Sequence, residues 1–136
     1  MKKSFKQKYK SDPELLPEIE SFILDTIQRE TKINDEKRNS IEIVIAEAAA
    51  NSIIHGNNSN PQKNIFVNIS IFDKKIKISF KDEGNGFNPE KIPDPTIPEN
   101  ILKGSGRGLY IMNSLADNVK YKFSENNTEL ILTFNI

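Results

Sequence analysis

Glu47 and Asn51 stand four residues apart in the stretch Glu47-Ala48-Ala49-Ala50-Asn51. On a helix that spacing puts both side chains on one face, about 6 Å apart along the axis. Alanines flank them, so the surrounding wall is low and lets another group approach. A carboxylate can take a proton from a hydroxyl or a water. A carboxamide offers a hard oxygen to Mg²⁺, an ion that also bridges phosphate oxygens. An ordinary polar pair on an exposed helix face has the same composition, so the pair alone leaves both readings open. His55, the single histidine of a chain without cysteine, follows one turn later. A lone imidazole near a helix C-terminus suits the dipole better than a metal.

Two glycine-bearing stretches lie downstream. In Asp82-Glu83-Gly84-Asn85-Gly86-Phe87 an acid sits where a hydrophobic strand ends, and two glycines follow. Such a carboxylate can accept a hydrogen bond from an exocyclic amine such as adenine N6, while Gly84 and Gly86 let a flat ring lie against the backbone. A strand-to-loop turn uses the same residue types. In Gly104-Ser105-Gly106-Arg107-Gly108-Leu109 a glycine run precedes a short helix. Free N–H groups at a helix start favour an anion, and Arg107 adds a guanidinium fork suited to phosphate. A hinge loop is the alternative. The run is not a Walker A loop, because no Lys-Ser or Lys-Thr follows it, and it is not the opening turn of a βαβ unit. Together the three stretches describe a nucleotide site: Asp82 on the base, Asn51 on Mg²⁺, the second glycine run on the phosphates, and Glu47 beside the outermost one.

The elements that must position them are legible in the hydrophobic pattern. Ser4 to Lys10 alternates weakly among lysines and reads as an edge strand. Ser11 or Asp12 can cap a helix with Pro13 in its first turn, and Leu15, Leu16, Ile19, Phe22, Ile23 and Ile27 recur at helical spacing to about Arg29. Asn34-Asp35 caps a second helix with Ile41, Val44, Ile45, Ala48 and Ala49 inward, and Gly56 is expected as its C-terminal cap. Asn57 to Gln62 is turn chemistry. Asn64 to Phe72 and Lys75 to Lys81 alternate with period two around Asp73-Lys74, an antiparallel hairpin. Phe87 to Lys103 is proline-rich and aperiodic, the pattern of a lid. A helix from Leu109 and two strands around Asn126-Asn127 complete a single-domain α+β, two-layer sandwich over residues 1–136.

Bulk composition narrows the function classes. Lysine plus arginine equals aspartate plus glutamate at 19 each, so no whole-molecule field draws in nucleic acid or an anionic membrane. No apolar h-region follows the basic N-terminus and no apolar run reaches membrane-spanning length. The absence of cysteine fits a reducing cytoplasm, where the chain is expected to work.

The three stretches, in this order, resemble the N, G1 and G2 boxes of the GHKL ATPase superfamily, which includes gyrase B, MutL and the ATP domains of histidine kinases. The segment Glu47-Ala48-Ala49-Ala50-Asn51-Ser52-Ile53-Ile54-His55-Gly56-Asn57, the prolines of Pro93-Asp94-Pro95, and Pro98-Glu99-Asn100 bring it near one branch. That branch is the anti-sigma-factor serine kinases of the RsbW and SpoIIAB type. The resemblance implies a Bergerat fold, a mixed, mainly antiparallel sheet with helices on one face, and ATP with Mg²⁺ as cofactors. It implies Glu47 as general base, Asn51 as Mg²⁺ ligand and Asp82 as adenine contact. Gly84 and Gly86 would frame the base, with Gly104, Ser105, Gly106, Arg107, Gly108 and Leu109 on the phosphate side. It further implies a kinase that phosphorylates a serine of a STAS-type anti-anti-sigma protein and binds a sigma factor, often as a homodimer. The alternatives are an ATP-binding sequestering module with little kinase activity, and a histidine-kinase-type ATP-binding domain.

Overall fold

Strand alternation decides how the sheet is covered. A computed structural model describes residues 2–83, 104–124 and 127–136, with the backbone alone described for 104–107. Its strands are β1 (Lys3–Lys10), β2 (Asn64–Ile71), β3 (Lys75–Asp82), β4 (Asn118–Ser124) and β5 (Asn127–Asn135). They form one five-stranded sheet in the order β1-β2-β3-β5-β4. Every second residue of the central strands is apolar and buried: Ile65, Val67 and Ile69; Ile76, Ile78 and Phe80; Leu130, Leu132 and Phe134. A period of two sends all of them to one face. Register ties that face together, with Ile69 opposite Ile78 and Phe80 opposite Leu130.

The helices α1 (Leu16–Glu30), α2 (Asp35–Ala50) and α3 (Gly104–Leu115) cover that face. Ile19, Ile23 and Ile27 from α1, Ile41, Val44, Ile45, Ala48 and Ala49 from α2, and Met112 from α3 meet the strand residues in one core. Full burial of an isoleucine contributes about 1.5–3 kcal/mol, so this stripe is what holds helices to sheet. Both anticipated N-caps form. Asp12 accepts from the Glu14 N–H, opening a 3₁₀ turn over Pro13–Leu15 that leads into α1, and Asn34 accepts from the Lys37 N–H. Ser11, the other cap candidate, is buried instead and its hydroxyl donates to the Lys63 carbonyl.

Every strand pairing among the described residues is antiparallel. The expected parallel component is real in the connectivity only. The chain crosses from β3 through α3 to β4 in the manner of a parallel unit. The β4–β5 hairpin then places β5 between them, so the parallel strands are not neighbours. The lid expected over Phe87 to Lys103, and Gly84 and Gly86 with it, lie outside the described residues.

Candidate functional site

The helix that carries Glu47 changes pitch at the residue that matters. α2 runs to Ala50, and Asn51–Gly56 continues it as one wide π turn. Such widenings cost backbone geometry and concentrate at functional sites. Glu47 and Asn51 are both half-buried, at the end of α2 and the start of this turn.

α3 packs against α2 at the same level. Its Gly108 is buried, and the close approach there requires glycine: a Cβ added to it would lie 2.8 Å from Glu47 Oε2 and 3.4 Å from Asn51 Nδ2. The second glycine run therefore abuts the carboxylate–carboxamide pair directly. The helix also begins earlier than its composition suggests. It starts at Gly104 rather than Leu109. Glycine is a poor helix former, and packing against α2 overrides that preference. The first N–H groups, those of Gly104, Ser105, Gly106 and Arg107, are then the ones without intrahelical partners. Leu109 packs partly against the hydrophobic core.

The other end of the π turn meets the end of β3. Asp82 ends β3 and is 4% exposed. Gly56 backs onto it so closely that an added Cβ would overlap the Asp82 carboxylate, lying 2.6 Å from its Cγ. Gly56 was expected as a helix cap, a role that would use a left-handed backbone. Its requirement is instead the absence of a side chain, and the non-glycine residues with positive φ among the described residues are Asn58 and Ser59. Glu47 to Gly56 thus forms one continuous helical rail, roughly 13 Å long at an α-helical rise. The second glycine run touches one end of it, and the end of β3 touches the other.

Three further residues surround the end of β3 and carried no signal in the sequence. Asn57 is fully buried. Its Nδ2 donates to Ser11 Oγ at 2.6 Å and to the Asn64 carbonyl at 3.0 Å, and its Oδ1 accepts from the Glu83 N–H at 2.9 Å. One side chain so fixes the ends of β1, β2 and β3, and Glu83 returns the favour by accepting from the Asn64 N–H at 2.6 Å. Thr128 lies directly across from Asp82 on β5, 3% exposed, with its hydroxyl lacking a hydrogen-bond partner among the described residues. A buried hydroxyl left so costs about 1–3 kcal/mol, which a bound polar group can recover. Tyr121 on β4 is held protonated: burial, and then the charge of Asp82, push its phenol up to about 12. Turn and strand composition explained each of these residues adequately, so only the pairing of distant segments reveals them.

The donor set fits a magnesium ion shared with phosphates. Asn51 supplies a hard oxygen next to the Glu47 carboxylate, with Gly108 leaving the space beside them clear. Among the described residues no group of three or more His, Cys, Asp or Glu could form a closed metal cage. Mg²⁺ characteristically takes one or two protein ligands and completes its shell with water and phosphate.

Comparison with known proteins gives the family. The family model described as "Histidine kinase-like ATPase domain" matches residues 9–134. The chain belongs to this family. Curated relatives include the anti-sigma F factor of Bacillus cytotoxicus, 35% identical over 89 residues covering 62% of this chain and 60% of the relative. That of a Geobacillus species is 39% identical over 83 residues, covering 58% and 56%. The matched segment thus spans less than two thirds of these relatives. Among solved structures, the RsbU and RsbW domains of Rv1364c from Mycobacterium tuberculosis superpose with TM-score 0.69 at 15% identity, over 97% of this chain and 32% of that one. The catalytic domain of histidine kinase ThkA gives 0.62 at 16%, over 96% and 97%. These likenesses establish the shared fold. No helix among the described residues is long and apolar enough to cross a membrane.

Proposed function

We propose that this ATPase-family domain is an ATP-binding anti-sigma regulatory factor that acts as a serine/threonine protein kinase. Its substrate would be a serine hydroxyl on a STAS-type anti-anti-sigma protein, and it would sequester a sigma factor, working in the cytoplasm. The similarity to anti-sigma F factors favours these partners. The observation that carries the reading is the single rail from Glu47 to Gly56, which meets Gly108 at one end and Asp82 at the other.

Adenine would enter over Asp82, whose carboxylate accepts from its exocyclic amine, with the Thr128 hydroxyl beside it as a second partner. Gly84 and Gly86 follow Asp82 in sequence and suit close contact with the ring. The triphosphate would run along the rail toward the start of α3, where the unpaired N–H groups of Gly104 to Arg107 point their dipoles at anions. Asn51 would hold Mg²⁺, which when bound offsets the charge on the phosphates. Phosphoryl transfer is mostly positioning and charge neutralisation. Glu47 takes the proton of the incoming serine hydroxyl as its oxygen bonds to the γ-phosphorus and the bond to the β-phosphate oxygen breaks, releasing ADP. Arg107 is suited to the moving phosphoryl group.

Labelled ATP, wild-type protein and a STAS-domain substrate test the proposal. Glu47→Gln should keep ATP binding within a few-fold and lower transfer by about 10²-fold or more, the scale of a general base. Transfer at the wild-type rate by that variant would remove Glu47 from the role.

A further inference from the structure

The face of the sheet turned away from the helices has a character that the nucleotide site does not use. Alternation that sends isoleucines inward sends lysines outward. Register aligns them in rows across the strands: Lys8 pairs with Phe66, Phe66 with Lys81, Lys81 with Glu129, and Glu129 with Lys122. The adjoining row runs from Lys6 through Asn68, Ser79 and Ile131 to Lys120. Phe66 is 39% exposed in the middle of this surface. Lys6, Lys8, Phe66, Ser79, Lys81 and a single acid, Glu129, border one shallow depression. Among the described residues none of these lysines makes a side-chain ion pair. A chain with formal net charge zero thus sets five lysines against one glutamate in these two rows.

We infer that this face docks an acidic protein surface, one presenting carboxylates to the lysines and an apolar side chain to Phe66. An aromatic anchor inside a charged rim is the anatomy of a protein interface. Nucleic acid fits less well. The cations in both rows are lysines, without an arginine fork for phosphate, and Phe66 is the only aromatic in either row, where successive bases need a stacking platform. A second copy docking face to face would oppose lysine with lysine, which repels. The surface lies across the sheet from Glu47, Asn51 and Gly108, so its use does not depend on nucleotide binding.

The test is binding of a synthetic Asp- and Glu-rich peptide carrying leucines, measured by fluorescence anisotropy, with ATP titrations run on every variant. Wild-type protein should bind it, and binding should weaken as salt rises. Lys6→Glu with Lys8→Glu should weaken it about tenfold, as should Phe66→Ala, while ATP affinity stays as in wild type. Failure of the nucleotide reading would show as absent ATP binding in wild type with peptide binding intact. Equal peptide binding by the variants would overturn the docking inference. So would tighter binding of oligo-dT or phosphatidylserine vesicles than of the peptide, or a dimer that Phe66→Ala dissolves.

Discussion

Replacing Gly108 by alanine separates the stability of the fold from the geometry of the site. The added methyl would stand 2.8 Å from Glu47 Oε2 and 3.4 Å from Asn51 Nδ2. The first contact is too short to persist, and the atom that must yield is the far end of a flexible side chain. The fold therefore survives. Gly108 is in the interior of α3, where alanine is favoured over glycine by about 1 kcal/mol. Thermal or denaturant unfolding should show a stability equal to wild type or higher by up to about 1 kcal/mol. The Glu47 carboxylate, however, must swing away by roughly the missing contact distance. A displacement on the order of 1 Å at a reacting group costs about 10²-fold in rate. Transfer of labelled phosphate from ATP should fall by that factor in a protein that melts no earlier than wild type. A Gly108→Ala protein with full transfer activity would refute the placement of α3 against Glu47, and one that fails to fold would refute the reasoning about which atom yields.

Asn57→Ala would remove three hydrogen bonds, to Ser11 Oγ, the Asn64 carbonyl and the Glu83 N–H, and at a net of about 1 kcal/mol each urea melts should show a loss of about 3 kcal/mol. A loss below about 1 kcal/mol would mean that the three strand ends are held by something else. Tyr121 should ionise late in a spectrophotometric titration, near 12 rather than at the ordinary 10.0. Because the folded state favours the neutral phenol, the associated stability is whole below the unfolded value and is lost as pH rises through the folded one. It amounts to about 2–3 kcal/mol and is absent in Tyr121→Phe. Ionisation of Tyr121 near 10 would contradict its burial beside Asp82.

Periodicity and caps exposed the scaffold because they are local. Ile65, Val67 and Ile69 alternate and bury one face, and Asp12 and Asn34 cap the turns they precede. The site residues Glu47, Asn51, Asp82 and Gly108 were legible as types at given spacings, and their neighbourhood was not. That Gly56 exists to admit the Asp82 carboxylate follows only once the rail and β3 are packed. Asn57 looked like turn chemistry, and its three hydrogen bonds reach partners as distant as Ser11 and Glu83. The π turn at Asn51 has no composition of its own, and the start of α3 at Gly104 runs against propensity. In each case a long-range contact outweighs the local preference.

The proposed function rests on one pocket that would hold a purine at Asp82 and its phosphates at Asn51 and α3. Isothermal titration of Mg·ATP into wild type and Asp82→Asn protein tests this most directly. The account predicts saturable binding by wild type, weakened about tenfold or more when the carboxylate that accepts from the adenine amine becomes a carboxamide. Equal affinity in the two proteins, or heat too small to fit a binding curve in wild type, would contradict it.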